Sequence, residues 1–155
     1  MSVVVIPLPD AEATGALGAR IAPLLASGDT VLLYGPLGMG KSTLARGLIR
    51  ALTRPDEDVP SPTFTLVQFY ETTPPIAHFD LYRLNRPEEA FEIGLDEALD
   101  EGAALIEWPE RLGDDPGRML GPDRLIITLE EDGPARLATV SGAGSWETKV
   151  ADVRP

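Results

Sequence analysis

The segment Gly35-Pro36-Leu37-Gly38-Met39-Gly40-Lys41-Ser42 matches the pattern G-x-x-x-x-G-K-[ST] in full. The chemistry of that pattern is phosphate binding. Glycines let the backbone come close to phosphate oxygens in conformations that other residues resist. Their N–H groups, together with the N-terminus of the helix that follows, form a cradle for an anion. Lys41 adds a point charge for the terminal phosphates, and the Ser42 hydroxyl can ligate a magnesium ion that bridges two of them. The chain holds two lysines, Lys41 and Lys149. In such a composition the full pattern arises by chance on the order of 2 times in 1,000. The candidate nucleotide-binding residues are therefore Gly35, Pro36, Leu37, Gly38, Met39, Gly40, Lys41, Ser42 and Thr43.

A triphosphate bound there also needs a carboxylate at the end of a neighbouring strand, to orient the metal or a water. Two apolar runs end in an acid: Ile76 to Asp80 and Ala103 to Glu107. Their spacing does not rank them. Ser61-Pro62-Thr63-Phe64-Thr65 lies where a switch segment can fall, and a hydroxyl there could sense a γ-phosphate; an ordinary turn is the plainer reading. His78, the lone histidine, reads as a packed and hydrogen-bonded residue, Trp108 as core, and Arg83 and Arg111 as solvated. Guanine-specific relatives of this loop carry N-K-x-D. The sole asparagine, Asn85, precedes Arg86, so adenine is the expected base.

The elements that must hold these residues follow from periodicity. Val3 to Leu8 predicts a strand. Asp10 caps a helix carrying Ala13, Leu17, Ile21 and Leu24 at helical spacing, with Ser27-Gly28 as its end. Thr30 to Tyr34 is a buried strand feeding the glycine loop, and Leu44, Leu48, Ile49 and Leu52 form one helical stripe after it. Two strands are expected over Thr65 to Tyr70 and Ile76 to Tyr82, the second with His78, Asp80 and Tyr82 on one face. Short helices follow at Glu88-Glu89 and Asp96 to Asp100. Arg124 to Glu130 and Arg136 to Val140 frame a hairpin around Glu131-Asp132-Gly133-Pro134. Early strand–helix alternation with a late hairpin predicts an α/β fold: a single P-loop NTPase-like domain with a mixed central sheet flanked by helices. The domain is placed at residues 1–140, with 141–155 as a peripheral tail.

Composition narrows the functional classes. The 155 residues are 43% hydrophobic and 25% charged, which suits one soluble domain. Cysteine is absent, excluding disulfides and thiolate chemistry. The balance of 13 basic against 25 acidic residues, net -12, disfavours a broad grip on DNA or RNA. No apolar run reaches the ~18 residues of a membrane span. The opening MSVVVIPLPD has neither a basic region nor a long apolar one, so no signal peptide is expected and the location is expected to be cytoplasmic.

Taken together, IPLPDAEAT (Ile6 to Thr14), LYGPLGMGKSTLARGL (Leu33 to Leu48), SPTFTLV (Ser61 to Val67), HFDLYRL (His78 to Leu84) and IEWPER (Ile106 to Arg111) resemble the TsaE (YjeE) family of small ATPases. The resemblance implies ATP/ADP and Mg2+ as cofactors. It implies that Gly35 to Thr43 hold the phosphates, that Ser42 and Glu107 hold the metal, and that Lys41 and Asp80 are catalytic. Asp80 would position or activate water, Thr63 would belong to the switch, Trp108 would sit at the site or a partner surface, and Thr14 would lie near the adenine. Relatives commonly read Thr at Ser42 and Ala at Met39; serine still supplies the hydroxyl. The implied partners are TsaD and TsaB, which form threonylcarbamoyladenosine on tRNA at the adenosine next to the anticodon, with tRNA met only indirectly and no role for membrane or DNA. Two other readings stand beside it: a small-molecule kinase using Arg111 to Arg118 as a lid, and a nucleotide-sensing module that does not hydrolyse.

Overall fold

The computed structural model describes residues 2–155. Seven strands form one sheet: β1 (Val3–Leu8), β2 (Thr30–Tyr34), β3 (Val67–Tyr70), β4 (Ile76–Asp80), β5 (Ala103–Glu107), β6 (Arg124–Asp132) and β7 (Ala135–Ala143). Their spatial order is β1-β7-β6-β2-β5-β4-β3. The four central strands, β6, β2, β5 and β4, run parallel. The flanking pairs are antiparallel, so the sheet is mixed, as the sequence predicts. Five helices accompany it: α1 (Ala11–Ile21), α2 (Lys41–Leu52), α3 (Glu89–Glu92), α4 (Leu95–Glu101) and α5 (Trp146–Lys149).

Strand alternation divides the core. Val31 and Leu33 of β2 pack with α1, α2 and α5 through Leu17, Ile21, Leu44, Leu48 and Trp146. Leu32 faces the other way, into a second cluster with Phe79, Ile106, Ala90 and Leu95, under α3 and α4. Each face of the sheet thus has its own helical cover, the arrangement that makes parallel strands read as unbroken apolar runs.

Asp10 caps α1 as expected, its Oδ1 accepting the Ala13 N–H at 2.9 Å. The helix stops at Ile21 rather than at Ser27, because Pro23 lacks the N–H an α-helix needs and the chain tightens into a 3-10 turn over Ala22–Leu24. β3 begins two residues later than predicted, since Leu66 takes φ 71°, outside the strand region. β4 ends at Asp80 instead of Tyr82.

The largest departure concerns residues 141–155. A peripheral tail was expected there. Instead β7 runs on to Ala143, and Trp146, Val150 and Val153 are fully buried against the α1/α2 face. The signal is a spacing of four and then three residues, the stripe of a helical turn.

α1 and α2 lie against each other at a glycine contact. A Cβ on Gly47 would stand 2.2 Å from the Gly15 carbonyl oxygen. Helix propensity alone would make Gly47→Ala stabilising by ~1 kcal/mol, but the steric term opposes it and is larger, ~1–3 kcal/mol for overpacking a tight contact. Gly47→Ala is expected to lower Tm by about 5 °C. A thermal melt that stays level or rises would show that the helices part freely.

Candidate functional site

Because β2, β4 and β5 run parallel, their carboxyl ends open on one edge of the sheet, where ligands of open α/β sheets sit. The Gly35–Gly40 loop leaves β2 at that edge. Gly38 and Gly40 take φ of 82° and 101°, the left-handed region that costs glycine nothing. Gly40 then starts α2 with no side-chain cap on its free N–H groups, which is the donor-rich helix end that an anion occupies.

The sheet register brings the acids together. Asp80 of β4 lies directly across from Glu107 of β5, and both are buried. The Ser42 hydroxyl donates to Glu107 Oε1 at 3.2 Å. Asp80 Oδ2 accepts from the Thr63 hydroxyl at 3.1 Å, and its Oδ1 accepts from the Tyr82 N–H at 3.0 Å. Thr63 in turn shares a 2.7 Å hydrogen bond with Ser61. The SPTFT segment is therefore tied directly to the strand-end acid, which the plainer turn reading did not anticipate.

Lys41 is buried, with Nζ donating to the Gly35 carbonyl at 2.5 Å and lying 3.2 Å from the Trp108 ring centroid. Burial pushes its pKa below the ordinary lysine value, while the carboxylates of Glu107, Glu110 and Asp80 push it back up. Trp108 is half-buried: it packs against the second core cluster and also lines the cleft. Its backbone sits at φ 61°, ψ 50°, a conformation that a bulky residue resists. That twist turns the indole over Lys41 and against the Tyr82 ring, 4.9 Å between centroids. Arg111 lies over Tyr82 at 5.5 Å, and Arg83 over Phe64 at 4.5 Å; both arginines are exposed, as expected, while resting on aromatic rings.

A cleft of about 300 Å³ joins these groups, walled by Leu37, Gly38, Gly40, Lys41, Ser42, Thr43, Ser61, Thr63, Asp80, Glu107 and Trp108. A second cavity, about 210 Å³, lies on the other side of the glycine loop and shares Gly38, Gly40 and Thr43 with it. Met39 and Thr14 line the second cavity along with Asp10, Pro134 and Arg136. Gly35 and Pro36 line neither. Two cavities joined by one loop suit a ligand with a phosphate chain on one side and a ring system on the other. Arg136 was missed from the sequence; it reaches the loop across 98 positions, its guanidinium 3.5 Å from the Gly38 carbonyl.

The oxygens present fit a divalent cation. Cis ligands of an octahedral magnesium, each 2.0–2.1 Å from the metal, stand about 3 Å apart. Ser42 Oγ and Glu107 Oε1 are 3.2 Å apart. Among the described residues no three His, Asp or Glu side chains gather closely enough to hold a metal unaided.

Fold and loop define a P-loop α/β domain. The family model for the threonylcarbamoyl adenosine biosynthesis protein TsaE matches residues 8–137, and the chain belongs to that family, which acts in tRNA threonylcarbamoyladenosine biosynthesis. The chain is 40% identical to the TsaE protein of Rickettsia felis over 79% of its length and 70% of that protein's. It is 46% identical to that of Synechocystis over 68% and 69%, and 37% identical to that of Streptomyces coelicolor over 88% and 95%. Among solved structures it resembles Bacillus subtilis YdiB, with a TM-score of 0.77 at 26% identity, covering 98% of this chain and 94% of that one. No described helix is long and apolar enough to cross a membrane.

Proposed function

We propose that the chain is an ATPase that hydrolyses Mg-ATP and couples turnover to a TsaD–TsaB complex modifying tRNA at the adenosine next to the anticodon. The observation that carries this reading is the meeting of Lys41, Ser42, Thr63, Asp80 and Glu107 in one cleft at the loop mouth. Membership of the TsaE family supports the pathway.

In this reading the loop N–H groups and the start of α2 wrap the phosphates. Lys41 exchanges the Gly35 carbonyl and the Trp108 face for phosphate oxygens, a stronger, charge-assisted partner. Two buried carboxylates beside a polyanion repel it, so a cation is needed among them; Ser42 and Glu107 would hold magnesium, which would neutralise charge on the β- and γ-phosphates. Asp80, held from two sides by Thr63 and Tyr82, orients the attacking water and takes its proton. The new bond forms from water oxygen to the γ-phosphorus as the bond to the β–γ bridging oxygen breaks. Thr63 reports the presence of a γ-phosphate through Asp80. Thr14 and Met39 face the adenine from the second cavity.

An apolar rim around the cleft supports a protein partner. Leu37, which lines the cleft, and Phe64, next to Thr63 in the chain, are 68% and 80% exposed, and Tyr82, stacked on Trp108, is 41% exposed; exposed apolar side chains around a site suit an interaction surface. The net charge of -12 leaves most tRNA contact to the partners.

The test is phosphate release from ATP by the purified chain with magnesium, alone and then with TsaD and TsaB. Release that is slow alone and faster with the complex, with no small-molecule acceptor, is expected. Nucleotide binding without release in either condition would favour the sensing module. ADP that appears with a phosphorylated metabolite would favour the kinase.

A further inference from the structure

We infer that His78 is the positioning residue for Glu107: it commits one carboxylate oxygen so that the other is presented to the divalent cation beside Ser42. The inference rests on the reading that Ser42 and Glu107 hold that cation. His78 Nε2 lies 2.7 Å from Glu107 Oε2, and both side chains are almost fully buried, at 2% and 4% exposure. A carboxylate oxygen accepts, so Nε2 carries the hydrogen. The opposite nitrogen, Nδ1, is buried with no hydrogen-bond partner among the described residues. With Nε2 as the donor, Nδ1 of the neutral ring is an acceptor that forgoes one hydrogen bond, whereas a proton on Nδ1 as well would bury a cation with an unpaired N–H. The ring's polar capacity is thus spent on Glu107 alone.

The consequence for Glu107 is geometric. With Oε2 held by His78, Oε1 points at the Ser42 hydroxyl at 3.2 Å, and the group offers one oxygen to the cleft. Released from His78, the carboxylate could rotate about its last bond and offer both oxygens, or turn toward the Lys41 ammonium. Side chains that orient a metal-binding group by hydrogen bonding set its affinity, and removing one costs about 10–100-fold. Asp80 has its own supports in Thr63 and Tyr82, so the two acids are fixed independently.

The test measures ADP affinity by calorimetry across a Mn2+ titration and again in EDTA, for the wild type, His78→Leu, His78→Asn and His78→Gln. The Gln amide nitrogen can reach the position of the imidazole Nε2; the shorter Asn amide cannot. His78→Leu and His78→Asn are expected to raise the Mn2+ concentration needed for half-maximal effect by about 10–100-fold. His78→Gln should stay within a few fold of the wild type, and affinity in EDTA should be the same for all four. Should His78→Leu fail to fold, His78→Asn, which keeps a polar group in the strand, carries the comparison. Unchanged metal dependence in His78→Asn, or a His78→Gln as impaired as His78→Asn, would overturn the inference while leaving the metal site standing. A wild type whose ADP affinity ignores Mn2+ would remove both.

Discussion

Lys41→Ala is expected to weaken ATP binding by about 10–100-fold, the worth of one charged hydrogen bond, and to lower turnover further, by about 100–1,000-fold. Among the described residues, Lys41 is the one ammonium lining the cleft, and it feels the charges of Glu107, Glu110 and Asp80. Without it the phosphate chain meets buried carboxylates whose charge nothing on the protein side offsets, and repulsion in a dry site is stronger than in water. The fold should survive, because Lys41 stands at the first turn of α2 and the apolar stripe Leu44, Leu48 and Ile49 remains. Calorimetric titration with ATP and a thermal melt read the two effects separately. Wild-type affinity in Lys41→Ala would mean that the phosphates bind elsewhere.

Asp80→Asn separates binding from chemistry. An amide of the same shape can still accept the Tyr82 N–H through its oxygen, and its nitrogen can face the Thr63 hydroxyl, so the local geometry is retained. What is lost is a group that can take a proton from water. General-base contributions run to about 100–10,000-fold, and turnover should fall in that range. Affinity for ATP should hold or rise, since one negative charge leaves the cleft. A variant that hydrolyses ATP at the wild-type rate would transfer the role of base to Glu107 or to the nucleotide itself.

The parts of the candidate site that are contiguous in the chain are legible as a pattern: the glycine loop is a run of adjacent residues between a strand and a helix, and Asp80 and Glu107 stand out because each closes an apolar run. What could not be read is pairing across the sheet. The contact between His78 and Glu107 spans 29 positions and depends on the parallel register of β4 on β5, which no local signal carries. The composition predicts a packed, hydrogen-bonded histidine, and His78 is one; its partner is what the sequence does not show. Trp108 shows a different limit. Its type predicts core, and it does pack against the second core cluster, but a left-handed backbone step after β5 also turns it to the cleft. The C-terminal segment departs from expectation for a third reason: Gly142, Gly144 and Ser145 break the pattern, and the stripe of Trp146, Val150 and Val153 that packs under β7 and β1 spans only two short turns.

The central claim is that water attacks the γ-phosphate of ATP in the cleft between the glycine loop, Asp80 and Glu107. It is tested most directly by running the reaction in oxygen-18 water, with magnesium and the TsaD–TsaB complex present, and weighing the phosphate released. Each released phosphate is expected to carry a solvent oxygen, formed at a rate that collapses in Asp80→Asn. ADP formed without labelled phosphate would mean that another acceptor takes the phosphoryl group, and the account of the chain as an ATPase would be wrong.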